Sequence, residues 1–252
     1  MDIVPKGEAA FEWVNRDGTS PIVLVCEHAS NRVPASLNRL GLAEADLNRH
    51  IAYDIGAEGT ARFLARLLEA PLIVQRFSRL IYDCNRPPES PSAMPLISEV
   101  FEIPGNANLS AEARLARTQQ IYRPFHHALE QLLDERAAAA KPTAVVSIHS
   151  FTRIYKEKRR EVDLGLLFDR DPWLAHQLIK SFPGIKVELN APYGPKDGVM
   201  HLLNLHAAPR GLHHLMIEIC NDLIDTSRNQ QQWAQRLSMP LFQAAAKLGE
   251  QK

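Results

Sequence analysis

Two histidines stand where an apolar run gives way to polar residues, and each could ligate a metal, act as a base or end a strand with a hydrogen bond. His28 lies in Cys26-Glu27-His28-Ala29-Ser30-Asn31-Arg32, directly after the run 22–26, and His149 lies in Ser147-Ile148-His149-Ser150, after the run 144–146. Either one alone reads as readily as a structural histidine. Two on separate strand exits of one sheet converge by accident far less often, because neighbouring strands lie about 5 Å apart and neutral imidazole is the commonest zinc ligand. A third cluster, Arg79 followed by Asp83-Cys84-Asn85-Arg86, closes the run 80–82, read as a strand. Arg86 offers a planar fork of donors for a substrate carboxylate, or an ion pair with an acid such as Asp83. The fourth cluster, Glu218-Ile219-Cys220-Asn221-Asp222, puts a glutamate at the end of the apolar run 215–219. Burying it is costly unless a cation faces it or the carboxyl is kept as a base with a raised pKa.

Together these groups supply what metal-assisted hydrolysis of an amide needs: two nitrogen ligands, a carboxylate base for the attacking water, and cationic groups for carbonyl oxygen and substrate carboxylate. A catalytic zinc usually takes three protein ligands. Asp54 is the first candidate for the third, with Glu27 and Asn31 as alternatives. Tyr53-Asp54-Ile55-Gly56 also reads as a helix start in which Asp54 is the cap.

The elements that must position these residues follow from the apolar pattern. β-branched-rich runs at 22–26, 72–74, 80–82, 144–148, 162–168, 186–189 and 215–219 read as buried strands of a largely parallel or mixed sheet. Helical patterns lie between them: 55–68, with Ile55, Phe63, Leu64, Leu67 and Leu68 on one side; 110–140, kinked or split at Pro124; one from about Pro172; and a last one over 227–248. Alternation of the two predicts a single α/β domain over 1–252, with helices around a central sheet. Polar clusters at strand exits sit where open α/β sheets place ligands. Residues 87–105 contain five prolines and read as a loop without regular structure, the wall or lid of a site.

Composition narrows the function classes. Twenty-nine basic and 29 acidic residues cancel, so nothing draws a nucleic acid or an anionic membrane surface. No run approaches a membrane span, and the first 15 residues lack the apolar core of a signal peptide, so a cytoplasmic enzyme is expected. Cys26, Cys84 and Cys220 make no CxxC pair and read as small apolar fillers, with a nucleophilic thiol as the rival reading. Phosphate-loop, dinucleotide, HExxH and GxSxG signatures are absent. His126, His127, His201, His213 and His214 show no ligand spacing, and His206 is a candidate for the pocket lining.

Six strings in order, CEHASNRVP from Cys26, YDIGAEG from Tyr53, SRLIYDCNRPP from Ser78, SIHS from Ser147, NAPY from Asn190 and MIEICND from Met216, resemble the N-formylglutamate amidohydrolase family across nearly the whole chain. The resemblance implies a three-layer α/β sandwich with a mixed, mostly parallel sheet, like that of zinc carboxypeptidases and aspartoacylases. It also implies His28 and His149 as metal ligands, Asn85 and Arg86 as the pair that handles a substrate carboxylate, and Glu218 as the catalytic glutamate. Arg79 and Tyr193 occupy family-like positions beside the substrate. The His-x-x-Glu motif of carboxypeptidase-like relatives is broken, since Asn31 stands three residues after His28, and this raises Asp54 as the third ligand. The expected protein is a zinc-dependent enzyme that removes a formyl group from an acidic N-acyl amino acid. A cysteine-dependent amidohydrolase and a ligand-binding homologue with a decayed metal site are the competing readings. Sequence leaves the oligomeric state open.

Overall fold

The computed structural model describes residues 2–248. Seven strands form one sheet: β1 (Phe11–Val14), β2 (Ile22–Cys26), β3 (Leu72–Gln75), β4 (Ala144–Phe151), β5 (Leu164–Leu167), β6 (Val187–Leu189) and β7 (His213–Cys220). Their spatial order is β1-β3-β2-β4-β7-β5-β6. The central pairs β3–β2, β2–β4 and β4–β7 are parallel, as is β5–β6, whereas β1–β3 and β7–β5 are antiparallel. This is the mixed, mostly parallel sheet expected of strands joined by helical crossovers.

Helices cover both faces. α1 (Ala57–Leu68), α4 (Trp173–Leu178) and α6 (Ser227–Ala246) pack on one side, against Ile22, Leu24, Val146, Ile148, Leu215 and Ile217. On the other, α3 (Arg123–Ala138) and α5 (His201–His206) cover Val23, Val25, Val145 and Met216; the short α2 (Ala111–Arg117) precedes α3. Apart from His213 at the start of β7, the central strands β2, β4 and β7 are buried, yet their apolar residues alternate between the two cores, as a pleated strand requires. On β4 that parity sends Ala144, Val146 and Ile148 toward α1, α4 and α6, and Ser147 and His149 to the opposite face. On β7 it pairs Met216 and Glu218 with the same opposite face.

Several sequence expectations change. Residues 80–82 are buried but form a turn, not a strand, because an apolar run reports burial and not its hydrogen-bonding pattern. The buried face of α1 is Ala57, Thr60, Ala61, Leu64 and Ala65, small residues that let it approach the sheet and α6 closely, while Leu67 is half exposed. Pro124 sits in the first turn of α3, and the chain before it, Thr118–Tyr122, forms a π-helical turn that separates α2 from α3. Residues 87–105 carry more regular structure than expected: short 3-10 turns flank a two-residue hairpin, Ile97–Ser98 with Phe101–Glu102. Among the described residues, no helix is long and apolar enough to cross a membrane.

Candidate active site

The carboxyl ends of β2, β4 and β7 lie side by side, and their last residues meet. β4 and β7 run parallel in a register that sets His149 opposite Glu218 and Ser147 opposite Met216. The chain leaving β2 brings His28 beside them, with the two imidazole centroids 4.8 Å apart in an edge-to-face arrangement. Asp54 comes from the turn before α1, tied to the β2 exit by its own amide, which donates to the His28 carbonyl at 2.9 Å. The following Gly56 has φ +79°, and a Cβ there would stand 2.1 Å from the Ile224 carbonyl oxygen, so only glycine makes this turn. Gly56, not Asp54, occupies the cap position of α1. The Asp54 carboxylate is turned into the cluster: Oδ2 lies 2.7 Å from His149 Nδ1 and 3.4 Å from His28 Nδ1, and also accepts from the Ser150 amide.

Each ring has a second carboxylate behind it. His28 Nε2 lies 2.7 Å from Asp83, and His149 Nε2 lies 3.2 Å from Glu27, whose other oxygen accepts from the Ser147 hydroxyl at 2.7 Å. Glu27 therefore orients His149, and Asn31 points elsewhere, donating its amide to Asn48; neither is positioned as the third ligand. Arg79 bridges Asp54 at 3.2 Å and Asp83 at 2.6 Å. Burial opposes ionisation of Asp54 and Asp83, but His28 and His149 hold the first, and Arg79 with His28 the second, well below the usual carboxylate range. Conversely, burial disfavours charge on the imidazoles, and the carboxylates around them push His28 up and His149 well up. Glu218 answers differently. Burial, with some help from Asp54 and against the pull of His149, raises it to about 7.

His28, Asp54 and His149 offer donor atoms within 4.8 Å of one another, so this buried group could hold a metal ion. The residues fit such an ion. His28 Nδ1 and Glu218 Oε2 are buried without a hydrogen-bond partner. When both imidazoles are neutral, three ionised acids around the rings, Asp54, Asp83 and Glu27, face one arginine, Arg79, an imbalance that a dication cancels. Carboxylates behind ligating histidines are also the usual way of fixing the rings.

A cavity of about 490 Å³ opens onto this group. Its lining includes Arg79, Asn85, Arg86, Tyr193 and Glu218, so the structure brings every proposed site residue to one cavity. Asn85 uses its side chain inward, donating to the Val199 carbonyl and accepting from the Leu202 amide, which pins the segment entering α5. Arg86 Nη1 donates to the Asn85 and Gly198 carbonyls. Tyr193 lies on a loop that crosses β5 at Gly165, where a Cβ would meet the Ala191 carbonyl oxygen at 1.9 Å; Gly165 is the register partner of Glu218. The 87–105 segment contributes Ser98 and Glu99 to the wall, and Glu99 accepts from the Lys156 amide at 2.9 Å across the mouth. Arg160, which belongs to none of the sequence motifs, also lines the cavity. His206 does not: it is buried against His126 under α3. All three cysteines are buried and free; none lines the cavity, and burial pushes each thiol up.

A sheet that gathers imidazoles, acids and a buried glutamate at its carboxyl end is the platform of a hydrolase. The pattern of the N-formylglutamate amidohydrolase family matches residues 20–225, and the chain belongs to that family. It is a hydrolase acting on amide bonds. A solved gene product of Agrobacterium tumefaciens is 44% identical, with 98% of this chain and 99% of that chain covered and a TM-score of 0.95. An N-formylglutamate amidohydrolase from Ralstonia eutropha JMP134 shares the fold at 18% identity and a TM-score of 0.66, over 96% of this chain and 99% of that one. Among curated proteins, none matches the chain.

Proposed function

We propose that this chain removes the formyl group from N-formylglutamate or a closely related acidic N-acyl amino acid, with a divalent ion, zinc by its donor set, held by His28, Asp54 and His149. The observation that carries this reading is Glu218: a buried glutamate, facing His149 across the sheet and lining the cavity, with one oxygen free of hydrogen bonds. Bound there, the ion supplies a Lewis acid for the acyl carbonyl and lowers the pKa of water. Glu218 takes the proton of the attacking water and returns it to the leaving amine nitrogen, a task suited to a carboxyl whose pKa burial moves to about 7. Arg79 holds Asp54 and Asp83 in place and adds positive charge beside the reacting carbonyl. Asn85 fixes the backbone that Arg86 grips, and Arg86 presents its remaining donors to a substrate carboxylate.

The thiol-dependent reading loses support from the burial of all three cysteines outside the cavity. A panel of N-formyl and N-acetyl derivatives of acidic and neutral amino acids, assayed with and without added zinc, tests the proposal. Zinc-dependent release of formate, fastest from formylglutamate, is expected. Hydrolysis that survives thorough chelation but not thiol alkylation would refute it.

A further inference from the structure

The three arginines of the cavity are not equivalent. Arg79 is paired with two carboxylates. Neither Arg86 nor Arg160 forms an ion pair with any described carboxylate. Across the hairpin base from Arg160, Arg153 shows the contrast, since its guanidinium is bonded to both Asp163 and Asp222. Arg160 is held instead by rings: its guanidinium carbon lies 4.5 Å from the Tyr155 centroid, 4.7 Å from that of Tyr193 and 5.7 Å from that of Phe151. Nη1 donates to the Tyr193 hydroxyl at 3.1 Å and to the Thr152 carbonyl at 3.3 Å. Stacking aromatic rings on a guanidinium occupies its faces and leaves its donors in the plane, which is the geometry for gripping a carboxylate edge-on.

We infer that Arg160 is a specificity-determining residue: it binds a second carboxylate of the substrate, while Arg86 binds the first, so that the cavity selects dianionic acyl amino acids over monoanionic ones. Two partly buried cations without acidic partners in one cavity are costly unless the ligand brings both negative charges. The Tyr155 and Tyr193 rings make this an oriented site, because the hairpin 154–159 and the loop crossing Gly165 clamp the guanidinium from two directions. The inference rests on the proposed function in placing an acidic amide in this cavity, but its test does not require hydrolysis.

Glutarate repeats the spacing of the two carboxylates of glutamate, and butyrate keeps one. Titration calorimetry of the zinc-supplemented full chain should show glutarate bound about 10- to 100-fold more tightly than butyrate. In Arg160→Gln that ratio should fall to within about threefold of unity. Arg160→Lys, which keeps the charge and loses the planar stack, should give an intermediate ratio. Thermal melting of each variant checks folding, and a variant that melts early is replaced by Arg160→Met. A wild-type chain that does not prefer glutarate, or a folded Arg160→Gln that keeps the preference, overturns the assignment. A chain that prefers glutarate through Arg160 yet hydrolyses no formyl amino acid would sink the proposed reaction and leave this assignment standing.

Discussion

Two pairs of buried histidines lie on the same face of the sheet, and their surroundings drive them in opposite directions. His28 and His149 are ringed by Asp54, Asp83 and Glu27, and both are pushed toward the charged form. His126 and His206 stack at 5.0 Å with an interplanar angle of 17° and face no carboxylate within ion-pair distance. His126 Nε2 donates to the Cys84 carbonyl at 2.8 Å, so its Nδ1 must accept from His206 Nε2 at 2.7 Å. Burial, reinforced by the neighbouring imidazole or by Arg210, lowers His126 to about 3 and His206 to about 4. Burial and pairing are therefore common to a hydrogen-bonded strut and to the proposed metal ligands. What separates them is the acids behind the rings, which make the first pair a place for a cation and leave the second a neutral hydrogen-bonded strut.

If that distinction holds, substitutions in the two pairs should have unlike consequences. His149→Ala should lower deformylation on the order of 10,000-fold and reduce bound zinc to background, since the ion's several kcal/mol of transition-state stabilisation go with it. His206→Ala should leave zinc stoichiometry as in the wild type; elemental analysis showing equal loss in both would erase the contrast. Glu218→Gln should cost about 100- to 10,000-fold in kcat while the protein still carries its metal. Near-normal turnover in that variant would end the role given to Glu218. Asp83→Asn, which removes the acid behind His28, should weaken zinc binding about 10- to 100-fold in competition with a chromophoric chelator. An unchanged affinity would show that the outer carboxylates do not tune the rings.

The smallest effect concerns stability. Because the unfolded chain protonates His126 and His206 near the ordinary 6.5 and the folded one only near 3 and 4, their contribution is complete above about pH 6.5. It declines as the pH falls from there toward 4 and 3. Melting temperatures across that range should therefore drop less steeply in a His126→Gln, His206→Gln double variant than in the wild type. Parallel slopes would mean that the pair is not the source of the acid lability.

Much of this contrast was legible before any fold was known, and the part that was not has a physical cause. His28, His149 and Glu218 announce themselves because a polar residue leaving an apolar run is costly without a reason. Asp54 was visible as either cap or ligand, and only Gly56 taking the cap position resolves which way its carboxylate turns. The backing roles of Asp83 and Glu27 depend on which nitrogen of each ring faces which neighbour, a matter of rotamers and crossings that spacing does not encode. Residues 80–82 misled because a buried turn and a buried strand share an apolar composition. Arg160 belongs to no motif; Phe151 and Tyr155 stand close to it in the chain, but the third ring, Tyr193, comes from a loop more than thirty residues further on, and only the fold brings the clamp together.

The alternation along β4 and β7 carries a consequence for how this chain can vary over evolutionary time. Since His149 and Glu218 share the parity that faces the cavity, inserting one residue upstream within either strand would rotate that side chain into the apolar layer under α1 and α6 and bring Ile148 or Ile217 forward in its place. Length changes are therefore tolerated more readily in loops that carry no cavity residue than in these two strands, which accept an exchange of letters but not a change in their count.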